Sequence, residues 1–371
     1  MKEIRHIVEA YGQIDFSRHK AALATVARVE GSSYRRTGAR MLVLDNGTYL
    51  GGISGGCLEG DALRRAQKAI ASNQASVVTY DTTRDDHTQI GVGLGCNGII
   101  DVLFTPLDPS DATNPIALLR ERAHSRQPHL LATVTGCEAL PETLGKTLPF
   151  KNQAQWRRDF LMPEIADLVL TDALRCLESG ETQTVLYQTT SGDEVRVCLE
   201  VLIPATHLVL YGSNNDIYPM ARIGKELGWD LTVMTNPLKV EKSLFALAAK
   251  VLHPKGEEQP DIDPYTAIVL MAHDYKTDFQ NLQNLLHSQA RYIGLLGPRK
   301  RAQKMFDALE AEGTPISDED MERIFAPAGL DIGALSPEEI ALAIAAEIRA
   351  CFAGRPGSSL RLREGAIHEE A

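Results

Sequence analysis

His207-Leu208-Val209-Leu210-Tyr211-Gly212-Ser213-Asn214-Asn215-Asp216-Ile217 is a short apolar run that ends in a glycine turn and continues into a helix-compatible segment. Residues 231–235, 267–272 and 292–296 repeat the apolar run, each again followed by a helix-compatible stretch. Alternation of this kind from residue 206 to about 353 predicts a doubly wound, Rossmann-like parallel sheet. Ser336-Pro337-Glu338-Glu339 opens its last helix, with an N-cap serine, proline at the first position and glutamate three on. That helix runs to about Phe352, and the Gly/Ser/Arg-rich tail 354–371 carries little to hold it.

Upstream the texture differs, and residues 1–205 read as a mixed α+β domain. Residues 22–29 and 39–44 are β-rich runs joined through Thr37-Gly38, and Asn46-Gly47 turns the chain into a third run, 48–51. Leu58, Ala62, Ala66 and Ile70 recur every four residues and mark an amphipathic helix. Strands at 76–80 and 99–104 follow. The pattern then returns: Leu23-Ala24-Thr25-Val26 as Leu131-Ala132-Thr133-Val134, Asp61-Ala62-Leu63 as Asp172-Ala173-Leu174, and Val78-Thr79-Tyr80 as Val185-Leu186-Tyr187. Asp101-Val102-Leu103 is echoed by Glu200-Val201-Leu202. An internal duplication, about 15–107 and 125–205, accounts for these echoes.

The two copies differ where chemistry would sit. Gly51-Gly52-Ile53-Ser54-Gly55-Gly56-Cys57 delivers a cysteine to a helix start, and Gly91-Val92-Gly93-Leu94-Gly95-Cys96-Asn97-Gly98 holds a second. Neither segment has a counterpart in the second copy, so the first copy reads as the working half. Glycines let a backbone take positive φ and approach a ligand closely. A helix N-terminus suits anions, and its field favours thiolate, the nucleophilic and metal-binding form of cysteine. The plainer alternative is two small buried hydrophobes in tight turns. Arg35, Arg36 and Arg40, around Ser32-Ser33-Tyr34, can meet an oxyanion bidentately or form a solvated hairpin tip. Asp85-Asp86-His87 matches no standard metal spacing.

The turn after the first α/β strand is not a dinucleotide fingerprint. Gly212 is present, but Asn214 replaces the glycine that admits pyrophosphate, and Ile217 replaces the small residue that brings helix and strand together. Met234-Thr235-Asn236 lacks the acid that would hold a ribose. The fold signal survives there, and the signal for an NAD(P) cofactor is poor. His273 and Asp274 follow the third strand, at the edge where such sheets bind ligands, with Asp278 one turn on. A catalytic or metal role for the pair competes with a helix cap by Asp274 and a satisfied His273. Gly212 and Arg299 border the same crevice.

Composition narrows the classes. A formal charge of −11 opposes general affinity for nucleic acid or anionic membrane. No stretch approaches the ~20 apolar residues that span a bilayer, and the longest candidate, 340–348, carries Glu347. Met1-Lys2-Glu3-Ile4-Arg5 has no apolar signal core, which implies a cytoplasmic chain. Cysteines at 57, 96, 137, 176, 198 and 351 form no CxxC pairs, as expected of reduced thiols.

Three N-terminal segments together resemble a known family: Gly31-Ser32-Ser33-Tyr34-Arg35-Arg36-Thr37-Gly38-Ala39-Arg40-Met41, Gly55-Gly56-Cys57-Leu58-Glu59 and Gly93-Leu94-Gly95-Cys96-Asn97-Gly98. His273-Asp274, Tyr292-Ile293-Gly294-Leu295-Leu296-Gly297, Gly329-Leu330-Asp331-Ile332-Gly333 and Pro337-Glu338-Glu339-Ile340-Ala341 agree with it. The chain is similar to the XdhC/CoxI family of xanthine dehydrogenase accessory proteins. The resemblance implies a cofactor chaperone rather than an enzyme. Such a protein binds molybdenum cofactor transiently, protects it while a cysteine desulfurase supplies sulfur, and delivers it to an apo molybdenum hydroxylase of the xanthine dehydrogenase type. It also implies a homodimer. The site implied is Gly55, Gly56, Cys57, Cys96, Gly95 and Arg40, with Cys57 contacting molybdenum and Cys96 in support. His273, Asp274, Gly212 and Arg299 are secondary candidates. Two other readings stay open: an NAD(P)-dependent oxidoreductase built on the α/β half, and a thiol-dependent sulfurtransferase using Cys57 as nucleophile.

Overall fold

A computed structural model describes residues 1–81, 83, 98–111 and 113–364. The chain divides into two compact units, one running to Pro204 and the other beginning at Ala205.

The first unit contains α1 (Lys2–Gly12), β1 (Ala21–Gly31), β2 (Arg40–Leu44), β3 (Tyr49–Gly51), α2 (Glu59–Ser72), β4 (Ser76–Asp81), β5 (Gly98–Leu107) and α3 (Pro115–Arg122). It continues with β6 (His129–Cys137), β7 (Thr147–Pro149), α4 (Gln153–Asp159), α5 (Ala166–Ser179), β8 (Gln183–Gln188) and β9 (Glu194–Leu202). Two antiparallel sheets result, in the orders β3-β2-β1-β5-β4 and β7-β6-β9-β8. Strand alternation gives each sheet two different faces. Ala22, Ala24, Val26 and Phe104 form a core with Ala62, Ala66 and Ile70 of α2, while Leu130, Ala132 and Val134 do the same with Val169, Leu170 and Ala173 of α5. The opposite faces meet each other. Thr184 donates its hydroxyl proton to the Ala27 carbonyl (2.5 Å), and Arg40 of β2 pairs with Glu200 of β9. Threonines 25, 105, 133, 135 and 147 surround a cavity of about 20 Å³ there, enough for one water. α1 and α3 pack on these same faces, Ile7 and Ile116 with Leu23 and Leu42, and Leu118 and Leu119 with Leu131 and Leu202.

The same details recur in both halves. Tyr80 donates to Asp61 and Tyr187 to Asp172, each at 2.9 Å, and both phenols are pushed up in pKa by burial and by that carboxylate. The ladder slips between Val26 and Arg28 in β1 and between Val134 and Gly136 in β6. Register corrects one sequence echo. Ala24 faces Phe104 and Ala132 faces Leu199, so the position matching Asp101 is Arg196, not Glu200. An even slip preserves the two-residue alternation, which is why side-chain pattern alone misplaced it. Asp101 and Arg196 then approach each other, at 3.6 Å. The first copy's ladder also runs further: the pairs Glu30–Ile99 and Gly31–Gly98 lie beyond its match to Cys137–Val195.

The second unit contains β10 (His207–Tyr211), α6 (Ile217–Glu226), β11 (Asp230–Met234), α7 (Leu244–Leu247), β12 (Lys250–Leu252), β13 (Thr266–Leu270), α8 (Tyr275–Leu285) and β14 (Tyr292–Leu295). It ends with α9 (Arg299–Ala311), α10 (Asp318–Arg323), β15 (Ile324–Phe325) and α11 (Pro337–Phe352). All six strands are parallel, in the order β12-β11-β10-β13-β14-β15. Counted from β10 that is 3-2-1-4-5-6, the Rossmann order. The sheet is covered on both sides: Leu208, Leu210 and Val269 pack with α6 and α11, and Val209, Ile268 and Ile293 with α8 and α9. Ser336 and Glu339 form a complete capping box at the start of α11.

Candidate functional site

Cys57 lies in the loop between β3 and α2. Gly51 leaves β3 at φ +83°, and a side chain there would strike the Arg40 carbonyl, which instead accepts from Gly52 N–H (2.9 Å). Ile53 is fully buried and pins the loop to the core. Gly55 and Gly56 are exposed, Gly56 at φ +113°, and Cys57 follows half-buried against the α2 side of the sheet. Leu58 then returns to the interior.

Beneath the thiol sits a closed hydrogen-bond network. The Ser54 hydroxyl donates to Glu59 Oε2 (2.5 Å) and accepts from Leu58 N–H (3.0 Å), Gly56 N–H (3.2 Å) and Cys57 Sγ–H (3.4 Å). Glu59 also accepts from Ser54 N–H (2.8 Å) and Leu58 N–H (3.2 Å). Burial raises the Glu59 pKa, but these donors and its own backbone N–H outweigh it, so the carboxylate lies below its usual range. The expectation that α2 offers free N–H groups to an anion is therefore corrected. Glu59 already occupies that position, and Asp61 adds a second negative charge in the first turn. Gly55 and Cys57 keep backbone N–H groups without a partner among the described residues.

Two further glycine-loop residues named from the sequence, Cys96 and Gly95, lie outside the described residues, as does Asp85-Asp86-His87. Gly98 is within them. A Cβ on it would fall 2.7 Å from the Glu30 carbonyl oxygen, so β1 itself demands glycine there. Arg40 is 4% exposed and committed: its guanidinium pairs with Glu200 and donates to the Gly38 carbonyl (2.6 Å). Arg35 pairs with Glu3, whose other oxygen accepts from Arg40 N–H (3.0 Å). Arg36 stays exposed. Burial pushes Cys176 and Cys351 up, and Cys198 up to about 12.

In the second unit, Gly212, His273-Asp274 and Arg299 follow β10, β13 and β14 and so share one sheet edge. A Cβ on Gly212 would meet the Met271 carbonyl at 2.6 Å, so close strand packing requires this glycine. Asp274 caps α8 through Thr277 N–H (2.8 Å), and His273, at φ +61°, pairs with Asp216. These are the side-chain contacts the structure gives the two residues. Asp278 is buried, accepting from Ala272 N–H (3.2 Å) and Arg301 (2.7 Å); burial raises its pKa against both. At the start of α6, Ile217 N–H turns back to Asn214 (3.2 Å), Tyr218 N–H to Asn215 (3.4 Å), and Pro219 has none.

Sequence reasoning missed the Ser54–Glu59 network and Asp216. A capping box spaces its serine and glutamate by three, whereas Ser54 reaches Glu59 across five residues. Among the described residues no group of three or more His, Cys, Asp or Glu side chains is arranged to hold a metal ion, and no helix is long and apolar enough to cross a membrane.

Fold and site thus define a two-unit protein, a two-sheet α+β unit bearing a glycine-framed thiol and a Rossmann-like unit. Residues 208–348 match the XdhC Rossmann domain, and residues 17–81 match the XdhC and CoxI family. The chain is 30% identical over 335 residues to a probable xanthine dehydrogenase subunit from Bacillus subtilis, covering 89% of this chain and 92% of that protein. It is 25% identical over 328 residues to the molybdenum cofactor insertion chaperone PaoD of Escherichia coli, covering 88% and 82%. A crystal structure described as a xanthine dehydrogenase from Bacillus halodurans superposes with a TM-score of 0.70 at 25% identity, covering 97% and 98%. The chain belongs to the XdhC and CoxI family.

Proposed function

We propose that this chain is a cytoplasmic accessory protein that binds molybdenum cofactor as cargo, protects it, supports its sulfuration by a cysteine desulfurase and inserts it into a xanthine dehydrogenase-type molybdenum hydroxylase. It acts as a homodimer and has no turnover of its own. The observation that carries this reading is the Cys57 loop: a half-buried thiol framed by exposed Gly55 and Gly56 and set on the rigid Ser54–Glu59 network. Molybdenum held by a dithiolene is thiophilic, and a cysteine ligand suits it. Side-chain-free glycines leave room for a bulky ligand to approach that sulfur. The similarity to a protein named as a molybdenum cofactor insertion chaperone supports the same cargo.

Cys57 is the principal contact, with Gly55 and Gly56 beside it. Cys96 and Gly95 are assigned in support on sequence grounds. Arg40, paired with Glu200, braces the hairpin behind the loop rather than reaching cargo. The Rossmann-like unit is poorly suited to NAD(P), because the N–H groups of the first turn of α6 are engaged in turns and Asp216 places a carboxylate at its start.

The test is metal analysis of protein purified from cells with an active cofactor pathway. Wild type should carry roughly one molybdenum per chain, and Cys57→Ala should carry far less while keeping its circular dichroism. Equal molybdenum in both would remove Cys57 from the mechanism. Loaded wild type should also activate an apo hydroxylase.

A further inference from the structure

Tyr34 is 73% exposed, the most exposed aromatic side chain among the described residues. It is not on a loose loop. The hairpin that carries it is tied by Val26 N–H to the Ala39 carbonyl (2.9 Å), Gly38 N–H to the Val26 carbonyl (2.8 Å) and Ala39 N–H to the Arg36 carbonyl (2.9 Å). Neighbouring Ser33 is 5% exposed, and Arg35 is held by Glu3. The Tyr34 ring rests against Gly55: a Cβ built on that glycine would lie 3.4 Å from Cγ and 3.5 Å from Cδ1. A methyl there would make an ordinary van der Waals contact with the ring, so Tyr34 lies directly beside the glycine two residues before Cys57. Rigid placement lowers the entropy lost when a ligand stacks on it.

The surroundings decide what that surface is for. The start of α2 is filled by Glu59 and Asp61, so a phosphate gains nothing there. What the loop offers is a soft sulfur, open backbone and a flat, half-solvated ring. Such a ring binds fused heterocycles by stacking, without needing charge.

We infer that Tyr34 is the stacking platform for the pterin ring system of the cargo, while Cys57 engages its metal end. The inference rests on the proposed cofactor-binding role. It divides one ligand between two groups on either side of Gly55 and Gly56, and it leaves the phosphate to a different part of the protein.

Neopterin, a fluorescent pterin that lacks both metal and dithiolene, is the direct probe. Its emission should be quenched and polarised by the wild-type chain. Tyr34→Phe should bind it as wild type does, Tyr34→Ala about tenfold more weakly, and Phe245→Ala, which removes an exposed ring of the second unit, unchanged. Circular dichroism checks that each variant is folded. Equal neopterin binding by wild type and Tyr34→Ala, or no binding by wild type, overturns the inference. The parent reading fails separately, if Cys57→Ala retains molybdenum like wild type.

Discussion

His273 and Asp216 pair across the point where the strand order of the Rossmann-like sheet reverses, the imidazole after β13 and the carboxylate after β10. Dinucleotides bind at that crevice in related sheets, with pyrophosphate on the first helix. Here a fixed carboxylate stands at the start of that helix, and the first three helical positions have no N–H to give. The first helical turn thus has its backbone donors engaged or missing, with a carboxylate beside it.

Calorimetric titration with NADH and NADPH should therefore give no saturable heat up to millimolar ligand. Asp216→Asn should not restore binding, because Ile217 and Tyr218 N–H groups stay in their turns and Pro219 contributes none. Micromolar binding by wild type would contradict this expectation.

How much of this could be read in advance depended on the range of the interactions. The strand at 207–211 and the capping box at Ser336 are local patterns, and both sit where the sequence puts them. β12 and β15 escaped because they have three and two residues, too short for a pattern to show. The site divided the same way. The glycine loop was visible as a string, and its contrast with the second copy pointed to Cys57. That contrast also overreached, since Gly98 is required by the carbonyl of Glu30 rather than by any ligand. Arg40 looked like an anion group because the sequence gives no sign that Glu200 waits on a strand of the other sheet. Pairing between distant residues is set by packing and leaves no local trace.

Glu59→Gln should destabilise the first unit by roughly 1–3 kcal/mol at neutral pH, through weakened acceptance from three donors on a buried group. The pH dependence has a definite sign. The folded pKa of Glu59 lies below its ordinary value of 4.5, so the carboxylate's contribution is complete above that value and is lost as pH falls through the folded one. Urea denaturation should show a gap between wild type and variant at pH 7 that narrows as the pH falls below 4.5. A gap independent of pH would mean that packing rather than charge is at stake.

Gly98→Ala should lower stability by about 1–3 kcal/mol, the usual cost of overpacking, because the new methyl meets the Glu30 carbonyl at 2.7 Å in the β1–β5 ladder. Gly56→Ala is the informative comparison. Nothing lies within 4 Å of a Cβ there, and its cost arises only from φ +113°. Thermal melts should place the Gly98→Ala midpoint below that of wild type; an unshifted midpoint would show that β1 yields.

Arg40 and Glu200 should couple strongly. Both are buried, and they join the facing sheets of the two halves through an ion pair that solvent screens little. Arg40→Met leaves an uncompensated carboxylate and should cost about 3–5 kcal/mol, with Glu200→Leu similar. The double variant removes both charges and fills the site with apolar atoms, so it should be far more stable than the sum of the single losses predicts. Chemical denaturation of the four proteins gives the cycle directly. Losses that add within about 0.5 kcal/mol would show the two residues acting independently. High salt should change the coupling little, in contrast to an exposed pair such as Lys250–Glu258.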